Sequence, residues 1–263
     1  MVLKIKNTMK LTLLFLSTFL LFLNLPAQDI RFRNNIDKDS LFNASVQQLP
    51  EQIRDEYIQN YQKATPPEKE FLLFMISMPK SSKKELIENY INKKTDILNL
   101  KRQYQKYVPK NYIVDIEIKP ESKILTVTEK IAIKIYKIKK TKDGKDTEGN
   151  ESLEIISQNW DLEPGSDELK KILKYLKWTD QTLSEIKILL QKSNCISIEN
   201  GKETTIGYAR SDMGKYSYKI FDHVLTPQQK KEYNNGCQYI FYEDNIVLEY
   251  GGGAIGPQCF EKE

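Results

Sequence analysis

Up to about Val108 the apolar residues of this 263-residue chain recur at helical spacing, and from Tyr112 onward they recur at every second position. That change of period constrains the fold more than any other feature. A helical stripe and an alternating strand bury different sets of side chains, and neither pattern suits the other backbone. Helices come first, strands follow, and two further helical stripes interrupt the strands. The expected class is α+β, with an N-terminal helical region and a small antiparallel sheet, then a C-terminal lobe of helices on an antiparallel sheet.

Start and stop signals divide the helical part. Thr65-Pro66-Pro67-Glu68 joins a capping residue, prolines at the first helical positions and a capping-box acid. Phe71 to Ile76 is apolar all round, which predicts the buried centre of the N-terminal part, and Met78-Pro79 ends that helix. Ser82 and Glu85 open the next one, whose apolar side carries Leu86, Ile87, Tyr90, Ile91, Ile97, Leu98 and Tyr104. Lys94 and Lys101 interrupt any heptad there, so a packed helix is expected rather than a coiled coil.

From Tyr112, the residues Ile113, Asp115, Glu117 and Lys119 alternate with apolar neighbours, and Pro120 to Ser122 reads as a turn. Ile124 to Ile138 reads as a long alternating strand, Lys139 to Glu151 as a charged loop without an apolar residue, and Leu153 to Trp160 as a third strand. After Pro164-Gly165, Ser166 caps a helix bearing Leu169, Ile172, Leu173 and Leu176.

A second helix is expected over Thr179 to Lys192, with Thr182 and Glu185 spaced as a capping box. Cys195 to Ile198 and Thr204 to Tyr208 then flank Asn200-Gly201 as a hairpin. A three-residue loop with a glycine bulge sets Ile196 opposite Ile206 and Ile198 opposite Thr204, keeping one face apolar. Ala209 to Lys215 reads as a polar loop, Tyr216 to Phe221 as a strand, and Thr226-Pro227 as a helical turn. A last hairpin places Phe241 against Leu248 and Tyr239 against Tyr250.

The first 27 residues have a basic start at Lys4, Lys6 and Lys10, an apolar run from Leu11 to Leu25 and a small residue at Ala27. That pattern predicts a cleaved secretory signal peptide and an exported protein of the periplasm or extracellular space. The expected organisation is 1–27 signal peptide, 28–164 helical region with antiparallel strands, and 165–263 a C-terminal α+β lobe. Removing three lysines leaves 37 basic against 36 acidic residues, which argues against a nucleic-acid partner. Charge is nonetheless segregated: residues 80–140 carry 16 basic and 7 acidic side chains. A solvated face and a basic patch for an acidic partner or an anionic membrane surface are the two readings of that excess.

Three cysteines in an exported chain predict one disulfide and one thiol. Cys237 with Cys259 would contribute about 3 kcal/mol and Cys195 with Cys259 about 4; the glycine-rich tail, able to fold back along the last hairpin, favours the first. A cysteine nucleophile would need His223 as its base, and no local signature brings Cys195 to it. Neither a metal-ligand spacing nor a phosphate loop stands out, so no catalytic set, metal or cofactor is expected. The most site-like stretch joins two strands and holds Arg210, Asp212, Lys215 and Tyr216, a composition suited to protein recognition.

That stretch, with Asn194-Cys195, Tyr233-Asn234-Asn235-Gly236-Cys237 and Gly251-Gly252-Gly253-Ala254-Ile255-Gly256, resembles the C-terminal part of uncharacterised exported bacterial proteins. The resemblance spans about residues 183–260 and implies no known activity. The expected function is that of an exported non-enzymatic protein that binds another protein, with an immunity or inhibitor protein against an envelope-acting toxin as its sharpest form. The alternatives are an envelope hydrolase using Cys195 or a carboxylate pair, and a structural envelope protein that binds glycan or lipid.

Overall fold

The computed structural model describes residues 31–139, 152–251 and 256–260. The expected signal peptide, the charged stretch 140–151 and residues 252–255 of the glycine-rich tail lie outside the described residues. Contacts divide the chain into two units.

In the smaller unit Phe32 bridges to Leu125 as an isolated antiparallel pair. The Arg33 guanidinium donates to the carbonyls of Ser122 at 3.1 Å and Leu125 at 2.9 Å. The strand expected from Ile124 therefore begins only at Lys130, because the backbone around Leu125 is engaged with 31–33 instead.

The larger unit is α+β, with seven helices and eight antiparallel strands among the described residues. Helices α1 (Lys38–Val46), α2 (Glu51–Lys63) and α3 (Pro66–Ile76) come first. Phe42 stacks on Tyr61 at 3.8 Å, and Glu68 reaches back to the Thr65 N–H at 2.7 Å, as its spacing requires. Helix α3 is not the buried centre: Leu73 and Ile76 are buried, but Phe71 is 40% exposed. That role falls to α4 (Lys83–Tyr107), where Leu86, Tyr90, Ile97, Leu100 and Tyr104 are nearly inaccessible. Ile91 and Leu98, expected on its apolar side, face outward. Its interrupting lysines have partners at the far end of the chain: Lys94 bonds Glu243 and Lys101 bonds Asp222, both at 2.6 Å.

The strands are β1 (Tyr112–Lys119), β2 (Lys130–Lys139), β3 (Ser152–Leu162), β4 (Ser197–Glu199), β5 (Thr204–Ser211), β6 (Gly214–Ile220), β7 (Tyr239–Glu243) and β8 (Ile246–Gly251). Between them run α5 (Asp167–Leu176), α6 (Asp180–Lys192) and α7 (Pro227–Glu232). The strands join into one sheet in the order β3-β2-β1-β4-β5-β6-β8-β7. The two groups of strands read from the sequence thus share a sheet, with β4 pairing against β1.

Period-two alternation makes one face of that sheet apolar. Val114, Ile116, Ile133, Ile135, Ile198, Ile206, Tyr218 and Leu248 form a single core with the buried residues of α4, α5 and α6. Asn89 of α4 donates to the Tyr218 hydroxyl at 3.1 Å, and that hydroxyl donates to the Leu86 carbonyl at 2.7 Å. These bonds fix the helix layer on the sheet.

Three local expectations are corrected. The capping box of α6 is Thr179 with Thr182, whose N–H donates to Thr179 Oγ1 at 3.2 Å, while Glu185 accepts from Tyr107 instead. In the first hairpin Ile198 lies opposite Ile206, two residues from the expected register. The parity that keeps one face apolar is preserved, but the loop is longer and pairs the two isoleucines directly. In the last hairpin Glu243 pairs with Ile246, and a bulge at Tyr242 then shifts Phe241 onto Val247 and Tyr239 onto Glu249.

Candidate functional site

The stretch expected as a polar loop is mostly strand. β5 runs through Arg210 to Ser211, Asp212 and Met213 make the turn, and β6 restarts at Gly214. Asp212 takes the left-handed conformation that such a turn needs (φ 49°), and its N–H donates to the Pro79 carbonyl at 2.8 Å. Alternation then separates the expected site residues. Tyr216 points into the core, stacked on Tyr250 at 4.2 Å and beside Phe260 at 5.6 Å. Arg210 and Lys215 are cross-strand partners on the opposite face, and Asp212 sits at the turn beyond them. Of the four, only Arg210 and Lys215 converge on one group.

That group is Glu117 of β1, a carboxylate only 6% exposed. Arg210 grips it through Nε and Nη2 at 2.6–2.8 Å, and the Lys215 ammonium lies 3.5 Å away. Burial by itself would raise the Glu117 carboxyl, but Lys215 and Arg210 outweigh it and hold the group below the ordinary carboxylate value. Lys215 reaches Glu117 only because Gly207 lies between them. A Cβ on Gly207 would fall 2.2 Å from Ser197 Oγ and 2.8 Å from Lys215 Cδ. The missing side chain leaves a channel along which Lys215 crosses β5 to bond Ser197 Oγ at 3.0 Å.

The same face carries a second row of charges. Register places Lys134 of β2, Asp115 of β1, Glu199 of β4, Thr205 of β5 and Lys219 of β6 side by side across five adjacent strands. Lys134 bonds Asp115 at 2.8 Å, and Asp115 outweighs burial to keep that ammonium charged. Lys219 turns to Glu203 at 3.3 Å and Glu249 at 3.7 Å. Glu199, near the middle of the sheet, has no ion pair and no hydrogen bond to its carboxylate among the described residues. Burial, and then the like charge of Asp115, push that carboxyl up to about 7, against the opposing pull of Lys219, Lys134 and Lys215.

Aromatic rings stand at both ends of this charged field. Trp160 of β3, 49% exposed, lies 4.4 Å beneath the Lys134 ammonium, and Tyr239 of β7 faces Lys219. Lys134, Lys215, Lys219, Glu199 and Glu249 all remain partly open to solvent. The assembled surface is a broad polar sheet face with interlocked charges, one uncompensated carboxylate and an aromatic rim.

Cys237 and Cys259 form the disulfide, which resolves the pairing left open by the sequence. It tethers the tail, so that Phe260 N–H donates to the Cys237 carbonyl at 2.9 Å and the Phe260 ring covers Tyr216 and Tyr250. Cys195 is the free thiol. It borders a cleft of about 430 Å³ between α6 and the ends of β1 and β5, yet it is buried and donates to the Ser193 carbonyl at 3.3 Å. Burial pushes this thiol up to about 12, which makes it a poor nucleophile at neutral pH. His223 is exposed elsewhere, beside Gln229 and the edge of Phe221. No group of three or more His, Cys, Asp or Glu side chains among the described residues could hold a metal ion.

Sequence reasoning missed Glu117, Asp115 and Glu199 as site residues, although the alternation of Asp115, Glu117 and Lys119 already announced a polar face. What linked Glu117 to Arg210 and Lys215 is a pairing across more than 90 residues of chain. The chain matches no known family model, no curated protein and no solved structure.

Proposed function

We propose that the chain is an exported, non-enzymatic binding protein that meets a protein partner on the polar face of its sheet. An immunity or inhibitor protein that neutralises an envelope-acting toxin is the form that fits best. One observation carries the reading: the face presents paired charges whose side chains are already held by neighbours and by the Gly207 channel. Such groups lose little freedom on binding, and their charge pattern selects partners by complementarity. The aromatic rim supplies the apolar contact area usual at interfaces. Export agrees with the Cys237–Cys259 bond, a linkage favoured outside the cytosol.

Affinity capture of the purified protein in envelope extract, with mass spectrometry of what it retains, tests this. Trp160→Ala should weaken capture of a stoichiometric partner about tenfold or more while melting within about 2 °C of the parent, as expected for a surface change. Lys134→Ala should weaken capture too, but with a lower melt because it strips Asp115 of its partner. Capture that is indifferent to both changes would remove the face from the proposal. A second reading is favoured by one feature: Glu199 and Asp115 are neighbouring carboxylates in unlike environments, the arrangement of an acid and a base. Hydrolysis of an envelope glycan or peptide that disappears in both Glu199→Gln and Asp115→Asn would establish that alternative.

A further inference from the structure

The charges on the polar face do not cancel one by one. Each cation in its centre is committed to an acid: Lys134 to Asp115, Arg210 and Lys215 to Glu117, and Lys219 to Glu203 and Glu249. Glu199 is left over, and its cross-strand neighbour is another acid, Asp115. Like charges directly opposite on a sheet repel. An incoming anion would have to displace a cation from its carboxylate, whereas an incoming cation meets an acceptor that none of the neighbouring lysines bonds directly.

We propose that Glu199, together with the Asp115 carboxylate beside it, receives a guanidinium or ammonium side chain of the protein partner. The proposal rests on the reading of this face as the partner surface and specifies the chemistry of the residue that fits its centre. A planar guanidinium can bridge two carboxylates through separate N–H pairs. Thr205, across from Glu199 on β5, brings a hydroxyl acceptor to the same row. A divalent metal ion is a worse fit, because it needs six or more oxygens and Asp115 already gives one of its own to Lys134.

Binding of such a cation is linked to a proton. The groups facing Glu199 are Asp115 and Lys134 from β1 and β2, Lys215 and Lys219 from β6, and Tyr104 from α4 beneath the sheet. With these neighbours Glu199 holds its proton up to about 7, so the cation must displace it at lower pH. The ionised fraction of such a group rises about tenfold between pH 6 and pH 8, and affinity should rise with it.

The test uses the purified protein labelled with 13C at glutamate carboxyls, with the Glu199 resonance identified by its loss in Glu199→Gln. Probes are N-acetyl-arginine amide, N-acetyl-lysine amide, tetramethylammonium chloride and calcium chloride. The expected result is a saturable shift of the Glu199 signal with the first two, about tenfold tighter at pH 8 than at pH 6. An equal response to tetramethylammonium would reduce the effect to ionic screening and overturn the proposal. So would tighter binding of calcium, or no saturable response at all. The partner-surface reading fails separately: a captured partner whose affinity ignores Glu199→Gln keeps the surface and rejects the cation, whereas probe binding with no captured partner does the reverse.

Discussion

Replacing Glu199 by Gln should make the protein more stable, increasingly so as pH rises from about 4.5 through 7. The Glu199 carboxyl sits up to about 7 in the folded chain against an ordinary value of 4.5, so the folded state holds a proton that the unfolded state releases. A raised carboxyl works against stability as pH climbs: its contribution is complete below 4.5 and is lost on passing 7. The interval between the two values is worth about 3 kcal/mol. Because the carboxylate is still partly open to water, about 2 kcal/mol is the fairer figure. Gln has the same shape and no charge, so it avoids the cost of ionising Glu199 as pH rises. Thermal melts of both proteins at pH 5 and pH 8 should differ little at the lower pH. At the higher pH Glu199→Gln should melt about 4–8 °C above the parent. Taking the difference between the two proteins cancels the titration of every other group. A variant that melts lower at pH 8, or by the same margin at both pH values, would refute the account of Glu199 as a buried, uncompensated acid.

Four further outcomes follow from the same geometry. Gly207→Ala should cost about 1–3 kcal/mol in urea unfolding, and adding Ser197→Ala should recover part of that loss, because the closest clash is with Ser197 Oγ. Glu117→Ala leaves Arg210 and Lys215 without their carboxylate and should cost about 3–5 kcal/mol. Since the Glu117 carboxyl is held low, its contribution is present above the ordinary carboxylate range and is lost as pH falls, so melts from pH 7 to pH 3 should converge for parent and variant. Replacing Cys237 and Cys259 together by Ser opens a loop of 22 residues and should lower stability by about 3 kcal/mol, matched by reduction of the parent. Cys195 should resist N-ethylmaleimide at pH 8 in the native state and react as one thiol in denaturant, with two more appearing after reduction; rapid native labelling would contradict its burial.

What the sequence announces and what it conceals divide along the range of the contacts involved. The helix starts at Thr65, Ser82, Ser166 and Thr226 lie where local capping chemistry puts them, since each depends on residues three apart. The Cys237–Cys259 bond was favoured by the reach of a glycine-rich tail but was not separable from Cys195–Cys259 until the structure paired the two. In the first hairpin the register was legible only in parity, because alternation dictates which face a residue takes but not how many residues the loop consumes; in the last, the bulge at Tyr242 moves the pairing by one residue, so parity itself was not legible. Ala209 to Lys215 looked like a loop because its residues are polar. They continue as strand because Arg210 and Lys215 are matched by Glu117, whose place is set by the β1–β4–β5–β6 order. Lys94 and Lys101 looked like interruptions of an apolar stripe until Glu243 and Asp222 arrived from the far end of the chain.

The polar face is an expensive way to finish a sheet. Half-buried ion pairs contribute little net stability compared with apolar side chains of the same volume, because desolvation offsets most of their attraction. A face that only had to stay soluble would need a few well-separated lysines and threonines. Here one position gives up its side chain so that Lys215 can cross to Glu117, and a carboxylate with no partner is kept beside another acid. The first choice lets Lys215 satisfy the buried Glu117, but the second works against the fold, and under the proposed reading its use lies in a partner. It follows that Glu199→Gln should raise stability and weaken partner capture in the same protein. Residues that merely pack lose both together, and the opposite movement of the two readouts is what marks a residue kept for recognition.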